Sequence, residues 1–342
     1  MIPGVVLAGI MLVALILYAR LGGADFGAGF WDLLCGGPRR ASQRQLIADA
    51  MHPVWETNHV WLIFVIVLVF SGFPAAFSSI TIGLAVPIFL VLLGIVLRGT
   101  SYVFRAYSEG NARSQLYWEK IFSVSSSMTP LCLGIVIGAI SCDQVVIENG
   151  QSENGFLWTW LQPFPLIVGL LALSLFAYLA ACYLAADAQG EDLKNDFRNR
   201  ALYAGFISIL AAFATYVAAG NYAVEIRDGL SKTPLASLIL FAAGISALVA
   251  YHALWTRRFQ RARLASAVQV ATIIAGWGAA QYPFLVRPQI TIFNSAAPDS
   301  IIVSVVIATV LGSLVLIPSL VLLLLIFKSN RRSPTSTDEA AV

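Results

Sequence analysis

Residues 4–34 read GVVLAGIMLVALILYARLGGADFGAGFWDLL. The run is apolar almost throughout, and it does not alternate apolar with polar as a half-buried strand would. A helix needs about 20 mostly apolar residues to cross a bilayer, and this one has enough left over to tilt or project beyond the lipid. No Lys or Arg precedes Arg20 and no small-residue cleavage site follows a short apolar core, so the run is expected to be a first spanning helix, not a signal peptide.

The same reading applied along the chain finds further apolar stretches near 54–71, 75–104, 120–141, 159–186, 201–223, 234–255, 266–286 and 301–327. The composition agrees: of 342 residues, 58% are hydrophobic and only 11% charged, with a mean hydropathy of +0.80. A soluble fold of this size needs more polar surface to cover its core. Runs such as LVLLLLIF (320–327) exclude an outer-membrane barrel, whose short strands alternate. Lys and Arg in the connections settle an expected orientation. The connections on one side, with the C-terminal tail, hold 16 of them and those on the other side hold 3. The expectation is an all-α integral membrane protein with nine transmembrane helices, the N-terminus periplasmic and the C-terminus cytoplasmic. Its organisation is read as a first four-helix bundle over 1–141, an outer loop over 142–158, a second four-helix bundle over 159–286, an outer loop and ninth helix over 287–327, and a polar cytoplasmic tail over 328–342. Ser71-Gly72-Phe73-Pro74 predicts a tight connection between the second and third spans.

Charge inside a membrane segment is costly, so each such residue is a functional candidate. At 1.5 Å per residue, Asp25, Glu56, His59 and Arg98 fall at similar depth, in the cytoplasmic third. Glu56 and His59 share a helix face. In Trp55-Glu56-Thr57-Asn58-His59-Val60-Trp61, every side chain but Val60 can hydrogen-bond. Two readings stay open. Asp25, Glu56 and His59 form a proton path, with Trp55, Asn58, Trp61 and Arg98 as its polar support, or the cluster locks helices together. The glycines at 22, 23, 27 and 29 invite close approach of another backbone or a cofactor. Arg20 and Arg98 are expected to pair with acids or to snorkel. His52 and His252 are read as interfacial.

Near the outer face, Trp277, Gln281, Tyr282, Arg287 and Asn294 are candidates for a quinone or lipid site, or else an aromatic belt with a structured loop. Cys35, Cys132, Cys142 and Cys182 lie far apart without CxxC spacing, so they are read as apolar fillers. There is no phosphate-binding loop, no zinc spacing and no nucleic-acid signature, and no metal ligands are assigned. Three His and four Met are too few to hold a set of haems, so any redox metals are expected on a partner.

Ala24-Asp25-Phe26-Gly27-Ala28-Gly29, the run from His52 to Leu62, Phe73-Pro74-Ala75-Ala76-Phe77 and Arg98-Gly99 through Phe104-Arg105 together resemble subunit II of cytochrome bd quinol oxidases. Gly276-Trp277, Ala280-Gln281-Tyr282-Pro283 and Pro288-Gln289-Ile290-Thr291 are similar to the cyanide-insensitive branch. The resemblance implies a heterodimer in the bacterial inner membrane, with a subunit I that carries haem b, haem d and the main quinol-oxidising loop. It implies quinol oxidation coupled to reduction of oxygen to water in aerobic respiration, with protons drawn from the cytoplasm. It implies two four-helix bundles plus a ninth helix, proton-path roles for Asp25 and Glu56, membrane lipid around the chain and a quinone bound to it. Gly22 stands where some relatives carry an additional acid, Glu56 is Asp in others, and His59 is Gln in others. The rival readings are a secondary transporter and an assembly scaffold with no proton role.

Overall fold

The computed structural model describes residues 2–51, 55–107, 112–148, 151–152, 155 and 157–330. The first half runs α1 (Ile2–Leu33), α2 (Arg40–Met51), α3 (Trp55–Gly72), α4 (Pro74–Gly83), α5 (Ala85–Tyr107) and α6 (Ala112–Ser141), then a hairpin of β1 (Ile147–Glu148) and β2 (Gln151–Ser152). The second half runs α7 (Pro163–Asp187), α8 (Glu191–Tyr222), α9 (Val224–Lys232), α10 (Pro234–Trp255) and α11 (Phe259–Gln281). A second hairpin, β3 (Phe284–Val286) with β4 (Ile290–Thr291), leads to α12 (Asp299–Asn330). Both hairpins are antiparallel. Eight helices are long and apolar enough to cross a membrane, and the bent pair α3–α4 makes a ninth if it counts as one span. The chain is a multi-pass helical membrane protein.

Proline sets several starts. Pro74, Pro163 and Pro234 occupy the first turns of α4, α7 and α10, where a missing N–H costs nothing. Gly190, at φ 85°, turns the chain into α8.

The expected third span, 75–104, is two helices. α4 bends 118° away from α3 and packs against both hairpins; of α4 and α5, α5 alone is long and apolar enough to cross by itself. The break falls at Gly83-Leu84, where the fully buried Leu84 anchors the corner and a Cβ on Gly83 would crowd Val145. Residues 40–51, read as a loop, form α2, whose low apolarity hid it among the basic connections. It docks through Arg39 and Gln43 on Asp196 and through Arg200 on Gln43. The expected start at 201 is also too late: α8 begins at Glu191 because its first turns stand outside the apolar run. The expected end of the eighth span at 286 is too long: α11 stops at Gln281, and 284–291 is a hairpin. Residues 331–342 of the expected tail lie outside the described residues.

α1 is the hub, packing on α3, α6, α7, α11 and α12, while α6 on α7 joins the two halves. Its glycines meet protein. A Cβ on Gly23 would lie 2.7 Å from the Phe176 ring, one on Gly27 would run into the Phe176 carbonyl, and one on Gly29 into the Ser126 side chain. Helix packing therefore accounts for this glycine motif. The four cysteines are free, three buried and Cys35 half-buried.

Candidate functional site

Two buried ionic groups stand on α1, two turns apart. The first pairs Asp25 of α1 with Arg98 of α5, side chains that are only 6% and 1% exposed as residues. Arg98 grips the carboxylate with two bonds, Nη2 to Oδ1 at 2.7 Å and Nη1 to Oδ2 at 2.8 Å. Nη2 also donates to the Asp25 carbonyl, and Nε donates to Ser126 Oγ at 3.0 Å. Phe26 and Phe122 lie against the guanidinium, at 4.9 and 5.4 Å. The aromatic faces favour the cation, and the bidentate geometry is the strong form of a carboxylate–guanidinium bond. Gly29 lets Ser126 approach closely enough to complete the set. Both oxygens of Asp25 are thus engaged by Arg98, which fits a lock better than a freely exchanging acid.

His59 shares the Phe26 ring with Arg98. Its centroid lies 5.5 Å from Phe26 and 6.3 Å from Tyr18. His59 Nδ1 and the Tyr18 hydroxyl are buried, with no hydrogen-bond partner among the described residues. Depth did bring Asp25, Arg98 and His59 together, with the Phe26 ring in contact with both the guanidinium and the imidazole. Asn58 is buried and Trp61 packs on the same apolar cluster. The side chains of Trp55 and Glu56, and His52 entirely, lie outside the described residues. His252 is exposed, in keeping with an interfacial place.

The second group is at the basic end and was not singled out from sequence. Asp32 is fully buried. Its Oδ2 accepts from Ser123 Oγ at 2.9 Å. Its Oδ1 has no hydrogen bond among the described residues; Arg44 Nε stands 3.7 Å away and Arg105 Nη1 3.9 Å away. Glu119 of α6 binds the same two arginines, Arg44 at close range and Arg105 at 3.7 Å. Both arginine side chains retain some exposure, so the group reaches the surface. Two signals could have revealed it. Asp32 follows Asp25 by seven residues, on the same helix face, and Ser123, Ser125, Ser126, Ser127 and Thr129 crowd into one spanning helix. All five hydroxyls bond local backbone or these ionic groups.

The outer candidates divide. Arg287 is buried and donates to Glu225 and to the Ala280 carbonyl. Gln281 donates to the Ile140 carbonyl and Trp277 to Ser141. Burial pulls the Arg287 guanidinium below its ordinary value, opposed by Glu225 and then Asp143. Arg287 ties the β3–β4 hairpin to α9 and α11, and Gln281 and Trp277 tie α11 to α6. Asn294 is exposed and bonds its own turn through Thr291 and Gln289. Tyr282, 52% exposed, is different: with Phe293, Ile2, Val5 and Val6 it lines an open apolar cavity of about 290 Å³.

A second cavity of about 220 Å³ beside it is lined by Gly4, Ile292, Phe293, Ala296, Ala297, Pro298 and Asp299. Haem needs an axial His, Met, Cys or Tyr side chain facing a macrocycle. Neither cavity offers a His, Met or Cys, and Tyr282 is at the surface. Among the described residues no three His, Cys, Asp or Glu side chains gather as a metal site. Neither of these two cavities fits haem.

A sequence model described as cytochrome bd terminal oxidase subunit II matches residues 3–327. The chain is 23% identical over 326 residues to a putative cytochrome bd menaquinol oxidase subunit II of Bacillus subtilis, covering 92% of this chain and 93% of that one. It is 24% identical over 325 residues to cytochrome bd-I ubiquinol oxidase subunit 2 of Escherichia coli K12, covering 85% and 82%. Its fold is similar to a chain in the structure of bd oxidase from Geobacillus thermodenitrificans, with a TM-score of 0.80 at 24% identity, covering 96% of this chain and 99% of the other.

Proposed function

The chain belongs to the cytochrome bd terminal oxidase subunit II family, and from that premise we propose that it is the non-haem subunit of a quinol:oxygen oxidoreductase in the bacterial inner membrane. It pairs with a haem-bearing subunit I, stabilises it, and carries protons from the cytoplasmic side. The basic end faces the cytoplasm. When bound in the partner, haem b and haem d supply the electron transfer and the oxygen chemistry.

The observation that supports a proton role most directly is the buried Asp32. Its Oδ1 is free of hydrogen bonds among the described residues, and Glu119 and two partly exposed arginines connect it to the surface. Asp32 takes up a proton at Oδ1 while Ser123 stays on Oδ2. Arg44 and Arg105 keep the carboxylate stable between transfers and orient it. Glu56, one helix turn from His59, is the acid expected beyond the Asp25–Arg98 lock. Asp25 serves first as that lock, which is the scaffold part of the role. Tyr282 and its apolar cavity are the proposed seat of a quinone ring or lipid chain.

The first experiment is purification of the tagged chain in mild detergent with a reduced-minus-oxidised visible spectrum. Haem b and d bands with a co-purifying larger subunit are expected; a colourless chain without a partner would remove the oxidase reading. In that complex, Asp32→Asn and Glu56→Leu should each slow oxygen consumption by about tenfold or more at unchanged haem content. Unchanged turnover per haem in both variants would leave the chain a scaffold only. Tyr282→Ala should raise the quinol KM by roughly threefold to tenfold, the worth of one lost aromatic contact, with the spectrum intact. An unchanged KM would take the quinone away from this cavity.

A further inference from the structure

Arg20 differs from Arg98 in a way that the family reading does not explain. Along α1 the exposed positions Ile2, Val6, Gly9, Val13 and Arg20 recur at spacings of 4, 3, 4 and 7 residues, so they form one stripe. A Cβ on Gly9 would meet nothing within 4 Å, so among the described residues nothing covers the stripe there. Arg20 stands 18 residues from Ile2 and 13 from Leu33, about 27 Å and about 20 Å along the axis. With a hydrocarbon core about 30 Å thick, Arg20 lies inside it whichever end of α1 meets the lipid edge. No hydrogen bond or ion pair engages Arg20 among the described residues, whereas Arg98 is held by Asp25 and Ser126.

A guanidinium facing lipid at this depth is strongly disfavoured. Apolar residues on the rest of the stripe suit a packed protein surface as well as they suit lipid. We propose that the Val6–Arg20 stripe of α1 is the seat of the membrane-spanning, haem-bearing partner, and that Arg20 pairs there with a carboxylate side chain of that partner. The inference rests on the heterodimer reading above. A carboxylate is the fitting anion because the planar guanidinium fork binds it with two parallel hydrogen bonds. Val6, Gly9 and Val13 are small enough to let a second helix lie close.

The test is recovery of haem per tagged chain from membranes, normalised to the amount of this chain by immunoblot. Arg20→Glu sets like charges against each other in the interface and should lower recovery by about thirtyfold or more, while Arg20→Lys should retain most of it. Val13→Trp, which introduces bulk without charge, should also lower recovery, because lipid accommodates an added ring and a packed seat does not. Wild-type recovery from either Arg20→Glu or Val13→Trp overturns the proposal. If the unsubstituted chain recovers no haem protein, the heterodimer reading fails instead, and the two failures are distinct.

Discussion

Arg98→Leu is expected to lose about 3–5 kcal/mol, the scale of breaking a buried ion pair from one side. The loss comes from what remains. Asp25 is left buried without the guanidinium that supplies its side-chain hydrogen bonds. Ser126 loses the donor on its Oγ, and the Phe26 and Phe122 faces lose their cation. The yield of monodisperse protein in mild detergent should collapse. Asp25→Leu combined with Arg98→Leu should recover much of it, because replacing both partners of a buried pair by apolar groups is often neutral. If Asp25 is a lock, the double variant should also turn over normally per haem. A recovered fold with lost turnover would place Asp25 in the proton path. A single Arg98→Leu variant as stable as the parent would remove the lock altogether.

Gly27→Leu should be comparably severe. Any Cβ at Gly27 would strike the Phe176 carbonyl and crowd the Ala180 methyl. Backbone does not yield as a flexible side-chain end does, so α1 and α7 must separate. Overpacking typically costs about 1–3 kcal/mol, and more where backbone must move. Separation here also breaks the 2.7 Å bond from Trp31 Nε1 to the Ala177 carbonyl, which lies one turn away, and it disturbs Gly29 against Ser126 and hence the Arg98 cradle. The thermal midpoint in detergent should fall sharply for Gly27→Leu and far less for Gly9→Leu, because Gly9 has open space. Equal effects at the two sites would show that helix propensity, and not contact, governs this stretch.

Much of this molecule is legible in its residues. Apolar run length is a local property, so residue types alone place most of the spanning helices. Depth is also local: counting residues along a helix puts Asp25, Arg98 and His59 at one level, and they do meet around Phe26. The bend at Ser71-Gly72-Phe73-Pro74 is visible in the residues, but the second break at Gly83-Leu84 is not. It arises from Leu84 seating in a pocket formed by distant segments, and no local pattern encodes that. α2 escapes a local reading for a related reason, since part of its hold on the protein comes from Gln43 meeting Asp196 and Arg200, more than 150 residues away.

By itself, then, the sequence determined that the chain lives in lipid, where most of its apolar helices run, which connections collect basic charge and which polar residues share a depth. Those follow from the cost of leaving backbone and charge unsatisfied in hydrocarbon, a cost set residue by residue. Which acid meets which arginine was decided only by the tertiary structure. Asp25 is bound on both oxygens, while Asp32, two turns along the same face, keeps an oxygen free of hydrogen bonds among the described residues. That difference depends on which helices α1 packs against, and helix contacts inside a membrane rest on small residues and side-chain shape summed over the whole bundle.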